Sequence, residues 1–366
     1  MRRYLRIAAT GVTAIALASA LAACGEAGGG DDEEEGGGGA QSGTIGILLP
    51  DDVTTRYDTF DYPFFEEKVA ELCPDCTVEY SNASNDTNQQ KQQFDALLAE
   101  GADVIVLDPV DASATATWVE DAAAEDVPVV AYDRLAEGPI ASYVSYDNER
   151  VGELQGETLL DSLGDDADGA RVVMINGSPT DPNAALFKSG ALSVLEGTTE
   201  IVFEQDVEGW EASIANQEMG AAIDSLGADG FDGVYVANDG MAAGVVNALQ
   251  SAGVTDVPVG GQDAELAALQ RIIAGDQTFT IFKGYKPQAE AAAEMAVNLM
   301  RGEELGDVAP DTVDSPTDDA IPSAILDPVA VTVDNIAENL IDGGYYTVDE
   351  ICTEEYAQAC QDAGIG

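Results

Sequence analysis

A chain of 366 residues is long enough for two ordinary domains rather than one. Its formal net charge of −55, from 14 basic and 69 acidic residues, argues against nucleic-acid binding, which needs a basic face. With no histidine in the sequence, there is no Ser-His-Asp triad, no Cys-His pair and no histidine metal ligand.

The first element is a leader. Arg2, Arg3 and Arg6 precede a run of small apolar residues, Ile7 to Leu21, which is too short to span a bilayer. This is the pattern of a secretory signal over residues 1–23. It ends in LAAC, Leu21 to Cys24, which resembles a bacterial lipobox. The resemblance implies cleavage before Cys24 and a lipid on its sulfur. Residues 24–43, rich in glycine and acid, read as an extended tether, because glycine is flexible and like charges repel. The expectation is a protein outside the cytoplasm, lipid-anchored to the cell membrane and working in water.

From Thr44 onward short apolar runs alternate with helical stretches. The runs begin with TIGILLP, TVEYS, DVIVLDP, VPVVAYD and SYVSYD and continue with ARVVMING, EIVFEQD, GVYVAND, VPVGGQD and FTIFKG. Stretches such as 87–100, 212–226 and 287–301 carry helical character. Alternation of this kind predicts βαβ units and parallel sheets. Continuous apolar runs predict sheets covered on both faces. There are too many units for one sheet, and Ser142–Asp147 follows Asp133 with no helix between. Two similar α/β lobes follow, one built from 44–145 plus 280–318 and the other from 146–279 plus 319–350. The crossings fall near Ser145–Asn148, Gln277–Phe282 and Pro316–Pro322. Residues 351–366 read as an appendage.

Four cysteines follow the leader: Cys73, Cys76, Cys352 and Cys360. In an exported protein an even count suggests disulfides, and local pairing, 73 with 76 and 352 with 360, is the simplest of three connectivities. A four-thiolate zinc site has the wrong spacing for a ribbon. A redox CxxC would need basic surroundings that this sequence does not supply. GDDADG, 164–169, lacks the later ligands of a calcium loop and reads as a surface turn. Neither a Walker A motif nor a dinucleotide fingerprint is present, so no cofactor is expected.

The apolar runs end in polar residues: Asp51, Asp52, Asp108, Asp133, Arg134, Asn238, Asp239, Asp263 and Lys283. Ligands of open α/β sheets bind outside the carboxyl ends of the strands. Facing lobes would bring these ends to one cleft. An isolated Asp there is a helix cap, but Arg134 and Lys283 are donors where a cap needs an acceptor. Charged donors beside Asp and Asn acceptors suit hydroxyl groups, which donate and accept.

Five stretches, AYDR (131–134), SYDNERVGELQ (145–155), NGSPTDPNAALFKSG (176–190), VANDGMAAGVVNAL (236–249) and VGGQDAELAALQRIIAGDQTFTIFK (259–283), together resemble bacterial sugar-binding proteins of ABC importers, the D-xylose-binding subgroup above all. The resemblance covers about Thr44 to Gly344 with its motifs in order. It implies a type I periplasmic-binding fold: two Rossmann-like α/β lobes with parallel sheets, joined by a three-segment hinge that closes on a sugar. Motif by motif, the implied sugar contacts are Asp133, Arg134, Asn183, Asn238, Asp263 and Lys283, with Trp210 in EGWEAS as the stacking ring. In the first segment Arg56 and Tyr57 stand where relatives usually show Arg-Trp. The implied partners are a monosaccharide, a permease and its ATPase; the implied state is a monomer. Two alternatives stay open: a sensor lipoprotein that presents sugar to a membrane receptor, and a glycoside hydrolase working with two carboxylates.

Overall fold

The computed structural model describes residues 42–365. The signal segment, Cys24 and nearly all of the expected tether lie outside the described residues.

The first lobe is built on a sheet of seven strands. β1 (Thr44–Leu49), β2 (Thr77–Asn82), β3 (Val104–Leu107), β4 (Val129–Tyr132) and β5 (Ser142–Tyr146) pair in parallel in the order 5-4-3-1-2. Helices α1 (Tyr62–Leu72), α2 (Thr87–Glu100) and α3 (Ala116–Ala124) connect them. Both faces are buried, and the pleat sorts residues between them. Ile45, Ile47 and Leu49 pack with Phe65 and Val69 of α1, while Leu48 packs with Phe94 of α2 and Trp118 and Val119 of α3. This is why the strands read as unbroken apolar runs.

The second lobe begins with α4 (Asn148–Leu163). Then come β6 (Arg171–Asn176), α5 (Pro182–Leu195), β7 (Glu200–Asp206), α6 (Ala212–Leu226), β8 (Gly233–Val236), α7 (Asp239–Ala252) and α8 (Leu266–Ala274). Its parallel sheet runs 7-6-8. Val259 bridges Val234 of β8, and Ile281 N donates to Gly261 O at 3.2 Å, so the 257–262 segment joins β8 to β9 (Phe279–Phe282). The chain then returns to the first lobe as α9 (Tyr285–Met300), whose Ala289, Ala292, Ala293 and Ala296 complete the α1 side of its core. β10 (Asp311–Val313) and β11 (Ile321–Leu326) extend the first sheet, and β12 (Val329–Thr332) returns to pair with β9.

Two crossings differ from the sequence expectation. β11 pairs in parallel with β5, so 321–326 belongs to the first lobe and the third crossing lies at 327–328, not at Pro316–Pro322. The Asp-rich 314–320, with Pro316, instead turns the antiparallel β10–β11 pair. β9 pairs with β12, so the second crossing follows Phe282 instead of preceding it. Cys73 is bonded to Cys76 and Cys352 to Cys360.

The last residues, clipped by the Cys352–Cys360 disulfide, pack against the body of the protein. α10 (Val348–Ile351) and α11 (Ala357–Asp362) bury Ile351, Cys360 and Ile365 against Leu269, Ile272 and Ile273 of α8. The same cluster takes in Phe282 and Tyr285 at the second crossing and Val331 of β12. Phe60, from the first lobe, stacks on Tyr285 at 4.8 Å between ring centroids and meets Tyr345 and Tyr346 edge-on. A separate apolar core therefore sits at the hinge.

Candidate binding cleft

The carboxyl ends of both sets of strands face one cavity. All nine residues that the family motifs pointed to, Arg56, Tyr57, Asp133, Arg134, Asn183, Trp210, Asn238, Asp263 and Lys283, line it. Four more join them: Thr54, Asp181, Phe187 and Gln262. Sequence reasoning passed over these four. The only available signal was that three of them flank motifs already singled out, in SPTDPNAALF and GGQD.

The first-lobe wall is charged. Asp133 and Arg134 follow β4 directly, and Asp133 turns the chain in the left-handed region (φ 56°). Such strain persists only where the surroundings fix it. Here the Asp133 carbonyl accepts from Tyr143 Oη (2.9 Å), Ser145 Oγ (2.7 Å) and Asn183 Nδ2 (3.1 Å). Its carboxylate accepts from Arg56 Nη1 and Gln288 Nε2, each at 3.1 Å, with Lys283 Nζ 3.8 Å away. Burial pushes this carboxyl up, but Lys283, Arg56 and Gln288 outweigh it and hold the group below the usual carboxylate range.

Arg56 comes from the loop after β1, ahead of a π-helical turn at Tyr57–Asp61. That turn places Tyr57 toward the cavity and Asp61 beneath it. Asp61 takes Arg56 Nε (2.9 Å) and Nη2 (2.5 Å), and Gln288 Oε1 takes Nη2 again at 2.7 Å. With Nη1 on Asp133, four of five guanidinium protons are spoken for. Arg134 is less fully committed. It donates to Pro109 O (3.1 Å), Asp51 (3.2 Å) and Tyr57 Oη (3.4 Å), and its Nε lies 2.9 Å from Asp181 and 3.6 Å from Asp108. Burial also pushes the Tyr57 phenol well up, so it stays a neutral hydroxyl.

The second-lobe wall is mostly amide and ring. Asn183 follows the α5 cap Asp181; its Oδ1 accepts from Asn148 Nδ2 (2.9 Å) while its Nδ2 reaches the Asp133 carbonyl. Asn238 caps α7 through Met241 N at 2.9 Å, which leaves its amide donors uncommitted among the described contacts. Trp210 is buried, again in the left-handed region (φ 60°), edge-on to Phe187 at 6.4 Å, and its Nε1 has no protein partner. Its ring lies directly over Gly177, where a Cβ would come within 2.1 Å of Cη2. Asp263 is left-handed too (φ 97°) and lies 3.4 Å from Lys283 Nζ. Gln262 Oε1 is buried without a partner.

Around the cavity six buried carboxyls, Asp51, Asp61, Asp108, Asp133, Asp181 and Asp263, face three buried cations, Arg56, Arg134 and Lys283. Burial raises Asp61 and Asp181, and Asp108 well above the usual range; nearby arginine only partly offsets this. Such surroundings repel anions and accept from hydroxyl donors. Ion-pair and amide contacts between the walls, Arg134–Asp181 and Asn183–Asp133, bring the lobes together over the cavity. Among the described residues no cluster of metal-ligating side chains is found.

The chain matches the periplasmic binding protein domain over residues 45–304. It is 33% identical over 319 residues to the D-xylose-binding periplasmic protein of Escherichia coli, covering 85% of this chain and 93% of that one. It is 30% identical over 338 residues to a multiple sugar-binding periplasmic receptor of Rhizobium radiobacter, again covering 85% and 93%. Among solved structures, an ABC transporter solute-binding protein from Clostridium phytofermentans with bound β-D-glucose superposes with a TM-score of 0.77 at 28% identity, covering 84% of this chain and 99% of that one. The two-lobed architecture is the type I periplasmic-binding fold, and the chain belongs to the periplasmic binding protein family.

Proposed function

We propose that this chain is the extracytoplasmic binding component of a sugar importer. It takes a neutral monosaccharide into the cleft, D-xylose foremost, and delivers it to a permease driven by a partner ATPase. A lipid on Cys24 holds it at the membrane. Arg56, Tyr57, Asp133, Arg134, Asn183, Asn238, Asp263 and Lys283 are assigned to the sugar's oxygens, and Trp210 to its apolar C–H face. The observation that carries the reading is the lining itself: charged donors and carboxylates beside an indole face, in a site with surplus carboxyls. Hydroxyls satisfy both kinds of group, and ring carbons suit the indole.

A two-carboxylate hydrolase fits less well. A general acid must carry a proton near neutral pH. Asp133, held ionised by Lys283, Arg56 and Gln288, cannot be that acid. The raised carboxyls of Asp108 and Asp181 lie against Arg134, and the reading as binding without turnover rests on the sugar-binding transport relatives.

A thermal-shift panel of pentoses, hexoses, polyols and uronic acids tests it. A specific ligand at a hundred times its Kd stabilises by about 2.7 kcal/mol. D-xylose is expected to give the largest shift and uronates none. A panel with no shift for any neutral sugar, or with uronates leading, overturns the reading. Release of the Cys24→Ala variant from the membrane fraction tests the anchor.

A further inference from the structure

Two left-handed turns meet across the cleft, and of their four residues only Trp210 lines the cavity. On the first lobe, between β2 and α2, Ser84 and Asn85 have φ of 47° and 63°. Asn85 N donates to Pro50 O at 2.8 Å, and Asp86 caps α2, so the turn is anchored at both ends. On the second lobe, Gly209 and Trp210 have φ of 64° and 60°. Gly209 N donates to Ser178 Oγ at 3.2 Å. Asn85 Nδ2 donates to Gly209 O at 2.8 Å, bridging the lobes.

The accepting carbonyl belongs to the peptide that joins Gly209 to Trp210. Pinning that peptide fixes the plane from which the indole departs. The indole already rests on Gly177, where any side chain would collide with it. Gly209 is needed for the approach as well as for its φ: a Cβ there would stand 2.9 Å from Asn85 Nδ2. The bond joins residues of different lobes and can form only when those lobes are together.

We propose that Asn85 is a clasp: a positioning residue of the first lobe that locks the Gly209–Trp210 turn of the second lobe on closure, and so slows release of the bound sugar. This rests on the sugar-binding reading above. Asn85 is not among the residues that line the cavity. Its effect falls on the lifetime of the closed state, since a contact made only after encounter changes departure more than arrival.

The test uses the full chain with Trp118→Phe, leaving Trp210 as the one tryptophan. Asn85→Gly removes the amide while suiting the left-handed turn. Asn85→Asp keeps the shape and the tolerance for that turn but offers the carbonyl no donor. Stopped-flow with the strongest sugar of the panel should show release about two- to tenfold faster in both variants, as expected for one lost hydrogen bond. Association should stay within about twofold, and the melting temperature without sugar should hold. At saturation Trp210 emission should lie to the red of the parent's. Unchanged release in both variants, with the parent binding normally, overturns the clasp alone. No binding by the parent to any sugar overturns the sugar reading, and the clasp with it. Faster release with an unaltered Trp210 spectrum overturns the positioning role.

Discussion

The two walls of the cleft are built on different principles. The first-lobe wall ties its cations largely to protein groups, Arg56 on Asp61, Asp133 and Gln288, and Arg134 on Asp51, Pro109 and Tyr57, although Arg134 Nε lies beside Asp181 without a hydrogen bond. The second-lobe wall presents groups with capacity to spare, including Trp210 Nε1 and Gln262 Oε1, which have no protein partner. The difference teaches a division of labour. One wall fixes position and field, at the cost of burying charge. The other supplies the groups a ligand can still satisfy.

The contrast breaks most visibly at Arg134. Removing it leaves Asp51, Asp108 and Asp181 without their shared cation. Loss of one partner of a buried ion pair typically costs about 3–5 kcal/mol. Arg134→Ala should therefore lower stability in urea by that order even without sugar, and abolish binding. Arg134→Lys should restore only part, because an ammonium lacks the planar fork. A stability change below about 1 kcal/mol would place Arg134 with surface ion pairs and undo the distinction.

The second lobe has its own buried acids, behind the wall. Asp239 accepts from Gln277 Nε2 (2.7 Å), Thr280 Oγ1 (2.8 Å) and Glu265 N (3.0 Å). Burial pushes Asp239 up to about 7 and Glu265 up to about 8, the latter helped by the neighbouring Asp239 and Asp263 charges. Both shifts are upward, so their contribution to stability is full below the unfolded values near 4 and is lost as pH rises through about 7 and 8. Between pH 6 and 8 Asp239 alone should account for on the order of 1 kcal/mol of loss, with Glu265 adding in the same direction. Denaturation at a series of pH values checks this. Asp239→Asn should flatten the slope, and a slope that survives both Asp239→Asn and Glu265→Gln would refute the assignment.

The smallest effect sharpens the comparison. Trp210→Ala should weaken sugar affinity by about tenfold, from the lost ring contact. Arg56 and Arg134 keep their partners in this variant, so the first wall stays intact. Titration calorimetry beside urea denaturation separates the two: affinity should fall further than anything the first lobe's unfolding registers.

Much of this site was legible because its residues sit where strands stop. Asp133-Arg134, Asn238, Asp263 and Lys283 interrupt apolar runs, and a parallel sheet leaves little choice about where such ends point. Asp61 and Gln288 were not legible. They lie within helical turns, where a polar residue is unremarkable, and only the fold brings both to Arg56. Asp181 reads as an ordinary cap before Pro182, which it also is; its approach to Arg134 depends on how the lobes meet. The misplaced crossings share one cause. β9 and β11 are short apolar runs, and nothing in four to six residues says which sheet will take them. A polar Asp-rich loop looks the same whether it turns a hairpin or changes lobe.

The apolar core at the hinge bears on the order in which the molecule assembles. It gathers Phe60, the helix at Leu266–Ala274, Phe282 and Tyr285, Val331, and the residues from Tyr345 to Ile365. These are among the most distant partners in sequence that the fold brings together, and contacts of long separation are slow to form. During synthesis the first five strands can pair while later segments are still being made. The hinge core has no such option, because its last pieces arrive with the end of the described chain. The first five strands and the second lobe's sheet can thus take shape before the core between the lobes has set.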